Sequence, residues 1–247
     1  MVNKMIPKRL RKEPLLEAIW EIRFNSDRAS VVELLPGLIY QAFPGAYPKI
    51  ERLPAANLPP AILQQDLTLR YAPTVKLEGS PYAVQIGEHV VSLSCRRPYT
   101  GWEQFKSKII ELSGKLKETE LITQPERFSL KYIDIIPVLS QPSLEPLDIE
   151  LKLGSRTIYK DPVQLRTEVR ENGFVHIIQI ATPAHASIPT GEHFDGVLFD
   201  IDTIYQEKEG DFWKDFSNNL DKAHDYSKRL FFHLLKEDTI KLLEPEY

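Results

Sequence analysis

A single cysteine, Cys95, among 247 residues leaves no room for an intramolecular disulfide framework or a multi-cysteine zinc site. A lone thiol also suits a reducing cytoplasm, which is the expected compartment. No apolar run approaches the ~20 residues of a membrane-spanning helix, so no membrane partner is expected. Basic residues are not in excess: 31 Lys and Arg face 35 Asp and Glu, for a net charge of −4. That excludes a general basic surface for nucleic acid, although not a local patch. Phosphate-cradling glycine loops are missing, with neither GxGxxG nor GxxxxGK[ST] present. So are the GxSxG nucleophile elbow, the HExxH zinc helix and any Cys beside a His. The basic opening MVNKMIPKRLRK is followed by no apolar stretch or small-residue cleavage site, so it does not read as a secretory signal.

What is present is an ordinary globular composition, 42% apolar and 27% charged, in a length that suits one or two domains. After the arm 1–14, Leu16, Ala18, Trp20, Ile22 and Phe24 recur at spacing two, a strand with one core face. Residues 28–43 step by three and four, a helix capped by Ser26 or Asp27 and kinked or split at Pro36-Gly37. Five prolines in 44–65 predict a long loop. Strands are expected over 67–71, 82–86 and 91–95, the last two joined by a turn at Gly87-Glu88. Thr100 to Glu103 has the form of a capping box opening a helix over 101–119, with Trp102 and Phe105 as core anchors. Phe128–Val138 is a central strand carrying Asp134. A linker at 140–147 then divides a first half, 15–139, from a second, 148–247.

The second half opens with a weak strand, 147–153. Asn172-Gly173 between alternating runs is a strong hairpin signal, pairing Val169 with His176, Thr167 with Ile178 and Leu165 with Ile180. Residues 183–195 are expected to loop, 197–205 to form a strand, 211–235 a long amphipathic helix and 238–243 a short one. Hairpins dominate, so the expected class is α+β: a mainly antiparallel sheet with two long helices packed on one face, and a loose two-fold repeat of an α+β unit.

Three constellations could carry function. Asp200, Asp202, His185 and His193, with Asp195 nearby, offer the oxygen and imidazole ligands of a divalent metal and hence of a metal-dependent hydrolase. The other reading of the same residues is a wetted acidic face beside idle loop histidines. Glu17, Glu21, Arg23, Arg166, Glu168 and Arg170 project from strands opposite the core; they form a binding face for a protein or small ligand, or simply ion pairs on a solvated sheet. Lys4, Lys8, Arg9, Arg11 and Lys12 could grip phosphate, or could be a solvated arm. His176, His224 and His233 read as packing histidines, and Cys95 as a small buried hydrophobe.

The segments EAIWEIRF at 17–24, PYTGWEQF at 98–105, LKYIDIIP at 130–137, FDIDTIY at 199–205 and AHDYSKRLFFHLL at 223–235 occur in an order that resembles a sporadically distributed bacterial family of uncharacterised proteins. The resemblance spans nearly the whole chain. It implies no activity and supplies no catalytic residue. Asp134 stands where that family commonly has Asn. Patchy distribution implies a mobile or defence-related role, such as the neutralising partner of a toxin–antitoxin pair. Together these readings favour a non-enzymatic binding or protein-interaction module without a cofactor. A metal-dependent hydrolase and a nucleic-acid binder acting through the arm are the alternatives.

Overall fold

The computed structural model describes residues 5–28, 30–67, 69–188, 191–206 and 211–247. Among them are thirteen strands and five α-helices, and the protein is α+β with a nine-stranded, antiparallel sheet. In chain order the elements are β1 (Arg9–Leu10), β2 (Leu15–Asn25), α1 (Val31–Ala42), β3 (Lys49–Arg52), α2 (Pro60–Gln65), β4 (Val75–Glu78), β5 (Tyr82–Ile86), β6 (Val90–Arg96), α3 (Trp102–Glu118) and β7 (Gln124–Pro137). Then come β8 (Leu151–Leu153), β9 (Arg156–Ile158), β10 (Val163–Glu171), β11 (Phe174–Ser187), β12 (His193–Tyr205), α4 (Phe216–Leu234), α5 (Glu237–Leu242) and β13 (Pro245–Glu246). The large sheet runs β10-β11-β12-β7-β2-β6-β5-β4-β3; β1-β13 and β8-β9 are separate pairs.

The chain forms two compact units, each discontinuous in sequence. One comprises Met1–Leu16, Lys131–Ile204 and Asp221–Tyr247; the other Glu17–Leu130 and Tyr205–Leu220. Residues 140–147 lie inside the first of these units.

In the unit built on Glu17–Leu130, period-two patterning sets the sheet. Ala18, Trp20, Ile22 and Phe24 are buried as the spacing requires. One apolar row crosses the strands through Trp20, Leu93, Val84, Leu77 and Ile50. Helix α3 buries Phe105, Ile109, Leu112 and Leu116, the expected stripe, while Trp102 stays half-exposed. Trp20, Phe128, Phe212 and Phe216 form an aromatic cluster, with Phe128 and Phe216 edge-on at 5.4 Å.

Several local expectations are corrected here. Helix α1 is not split in two but runs as one helix with Pro36 inside it. Its cap is neither Ser26 nor Asp27: the Val31 and Val32 amides donate to the Glu88 carboxylate at 3.1 and 3.2 Å. A charge reaching in from a distant hairpin satisfies free amides and favours the positive end of the helix. Thr100 is no cap either, because its hydroxyl bonds that of Tyr82 at 2.7 Å. The turn after β5 centres on Glu88-His89, with the Gly87 amide donating to Val90 O at 2.9 Å. Gly87 is required for another reason, since a Cβ there would lie 2.6 Å from Ala72 O. The proline-rich 44–65 stretch holds β3, a 3-10 turn over Pro54–Asn57 and α2. Leu67, Leu69, Arg70 and Tyr71 turn rather than extend; Thr68 lies outside the described residues.

In the other unit the β10–β11 register matches the pattern residue for residue, from Glu171 opposite Phe174 to Leu165 opposite Ile180. Asn172 and Gly173 have φ of 50° and 85°, the left-handed pair that a type I′ turn demands. The core gathers Ile178, Ile180, Val197, Phe199 and Ile201 from the strands with Phe232 from α4, Leu235 just after it and Ile240 from α5. Helix α4 begins at Phe216, later than expected. Strands β11 and β12 run on to Ser187 and back from His193, so most of the 183–195 loop is a two-stranded arm. Pro189 and Thr190 at its tip lie outside the described residues.

Candidate functional site

The four metal candidates occupy different places on this frame. On the arm, His185 and Asp195 meet at 2.5 Å and His193 and Ser187 at 2.8 Å, all four exposed. Asp200 lies five residues beyond Asp195 on β12, about 16 Å along an extended strand. Its Oδ2 takes the Lys131 ammonium at 2.8 Å and the Gln179 amide at 3.0 Å, while the buried Oδ1 has no hydrogen-bond partner among the described residues. Burial pushes the Asp200 carboxyl up, against the pull of Lys131. Asp202 is half-buried two residues on. Among the described residues no three His, Cys, Asp or Glu side chains gather as they would around a metal ion. Lys131 and Gln179 were not foreseen, because only strand order brings β7 and β11 alongside β12.

The histidines of the core behave as neutral packing groups. His176 is buried, bonded through Nδ1 to the Thr203 hydroxyl at 2.9 Å, and burial holds its pKa down. His224 meets the Tyr132 hydroxyl at 2.9 Å. His233, by contrast, is exposed. Cys95 is fully buried, and burial pushes its thiol up, the opposite of what a nucleophile needs.

The basic arm is docked. Arg9 and Arg11 both hold Glu246, the latter at 2.6 Å, and Lys12 holds Glu244 at 2.8 Å, while Leu10 is buried in the core. Charge that a phosphate-gripping arm would offer is matched within the chain. Lys4 lies outside the described residues.

The charged sheet residues fall into two sets. Glu17, Glu21 and Arg23 share a face in their unit and are tied into ion pairs. Glu21 bonds Arg23 at 2.7 Å and Arg127 at 3.3 Å; Arg96 lies 3.7 Å from Glu17 and 2.8 Å from Glu78. Arg23 also stacks over the Tyr71 ring at 4.3 Å, and the Tyr71 hydroxyl donates to Glu126 at 2.9 Å. This tyrosine, read from the sequence as a strand residue, was missed as part of a polar network.

Arg166, Glu168 and Arg170 are placed differently. They lie on β10, the outermost strand of the large sheet, where every residue from Arg166 to Glu171 is exposed. In a hairpin closed by a two-residue turn, alternate residues face the partner strand. Glu171, Val169, Thr167 and Leu165 turn their backbone groups to β11. Arg170, Glu168, Arg166 and Gln164 turn theirs outward. Nine residues of regular strand, with no proline or bulge, therefore present a ladder that no strand among the described residues meets. At the opposite end of the sheet, β3 covers β4 with Lys49 against Glu78, Ile50 against Leu77 and Glu51 against Lys76.

No family model matches the chain, and no curated protein matches it.

Proposed function

We propose that this protein is a non-enzymatic interaction module that binds an extended segment of another polypeptide along the outer edge of β10. The carrying observation is that edge: a long, regular strand whose outward backbone groups meet no strand among the described residues. Strand addition uses such groups for affinity and the alternating side chains for selectivity. A role as a neutralising partner is the defence-related form of this reading, since an added strand masks the segment that supplies it.

The order of elements supports it. Strand β2, then β4-β5-β6, then α3 has the same order as β7, then β10-β11-β12, then α4, and with β3 set aside the sheet order is matched from either end. We read these as two copies of one module, each with its long helix backing the apolar strand face. In the first copy β3 covers the outer strand; in the second no strand among the described residues takes the equivalent place. Alternating opposite charges and a central apolar pair hold β3 there.

The test is a synthetic peptide of residues 47–53, the β3 segment, titrated into isotope-labelled protein. Slowed amide exchange confined to Gln164, Arg166, Glu168 and Arg170 is expected. Glu168→Pro removes one outward amide without touching the ladder to β11 and should abolish that protection. Absence of protection at these amides in the wild-type chain would refute the reading.

A further inference from the structure

We infer that the strand received by β10 is β10 of a second copy of this chain, forming a two-fold edge-to-edge dimer centred on Thr167. This inference rests on the edge reading above and names its occupant.

The outward backbone groups belong to Gln164, Arg166, Glu168 and Arg170. An antiparallel partner must place its own outward residues opposite them, which limits the register to a few choices. Centring the axis on Glu168 sets Glu168 against Glu168 and Arg166 against Arg170, so like charges face each other. Centring it on Val169 sends Arg166 against Asn172, which has left the strand at φ 50°. Centring it on Thr167 uses the whole strand. Arg166 then faces the partner's Glu168, Glu168 faces the partner's Arg166, and Gln164 and Arg170 face each other across the pair. About eight inter-strand hydrogen bonds result.

The opposite face of the strand selects the same register. Leu165 meets the partner's Val169, twice, on either side of a Thr167–Thr167 contact. Val169 is 39% exposed in the single chain and would be covered. Both faces then repeat what β3 does for β4: opposite charges on one side and an apolar pair on the other. Within its own chain Glu168 already bonds Arg170 at 2.6 Å, whereas Arg166 makes no ion pair among the described residues. The second copy supplies the missing carboxylate.

A single strand pair buries less than the ~1,200 Å² of a stable interface, so the dimer belongs to the weak, reversible class. Sedimentation equilibrium from about 10 μM to about 1 mM spans that class. The wild-type chain should pass from monomer to dimer in that range. Arg166→Glu places Glu against the partner's Glu168, and Glu168→Arg places Arg against the partner's Arg166. Each variant alone should associate at least about tenfold more weakly. Mixed together they should pair, because both contacts between residues 166 and 168 across the axis are again between opposite charges. Restoration on mixing is specific to this register. A wild-type chain that stays monomeric while still binding the 47–53 peptide overturns the inference and leaves the edge reading standing. If neither occurs, both fall. A dimer indifferent to the two reversals, or reversals that mixing does not rescue, overturns the inference as well.

Discussion

His224 sits half-buried against Tyr132, and burial first, then the nearby Lys228 ammonium, pushes its imidazole down to about 4 from an ordinary 6.5. A base with a lowered folded-state pKa binds its proton more readily in the unfolded chain. Stability is therefore retained above pH 6.5 and lost as pH falls toward 4. That loss reaches at most about 3 kcal/mol, less for the solvent contact the ring keeps. His176 acts in the same direction. Urea unfolding between pH 7 and pH 4.5 should show the decline, and His224→Gln should flatten it. Asp134 has the opposite sign. Burial, reinforced by Asp200 and Glu13, holds its carboxyl well above the carboxylate range. Ionising it costs the folded state as pH rises, so Asp134→Asn should stabilise the protein at pH 7 and not at pH 3. A third residue-scale prediction concerns Gly196, where a Cβ would lie 2.1 Å from the backbone oxygen of Ile136. Two strands would have to part, so Gly196→Ala should cost about 2 kcal/mol or more in urea melts.

At the scale of elements, what could be read from the sequence was whatever its neighbours in the chain decide. Period-two burial in β2, the stripe of α3 and the whole β10–β11 register follow from residues a few positions apart. The Asn172-Gly173 turn is the clearest case, and Gly173→Val should destabilise by more than ~1 kcal/mol by forcing a branched side chain into positive φ. Where the deciding group is distant, local reading failed. Helix α1 is capped from the β5–β6 turn by Glu88, fifty-six and fifty-seven residues away, and no nearby cap motif reports that. Gly87 looked like a turn residue because glycine signals turns, yet the backbone of Ala72 is what excludes a side chain. Glu88→Ala should therefore cost about 1–2 kcal/mol, with Glu88→Gln in between, because one acceptor survives but the charge at the helix start does not. Circular dichroism during urea unfolding would order the three proteins.

Across the whole molecule, strand order decides which residues meet, and strand order is the least local property of a sheet. Arg166, Glu168 and Arg170 were visible in the sequence as a charged face; that they line an outer edge was not. The acids and histidines of the candidate metal site were visible too, but His185 lies on β11 and His193 on β12, several residues at ~3.3 Å each along the strand from Asp200 and Asp202. The basic arm shows the same dependence. Its charges read as free until β1 is seen beside β13, where Arg9 and Arg11 hold Glu246 and Lys12 holds Glu244. Exposed ion pairs contribute little singly, so the arm is held mainly by Leu10 in the core and by the strand pairing. Replacing both acids, Glu244→Lys with Glu246→Lys, turns attraction into repulsion along the whole contact. Trypsin should then cut after Arg9, Arg11 or Lys12 in the double variant at a concentration that spares the wild-type chain. High salt should narrow the difference, since screening weakens repulsion between exposed charges. Equal cleavage of the two proteins would mean that β1 is held by Leu10 and its backbone bonds alone.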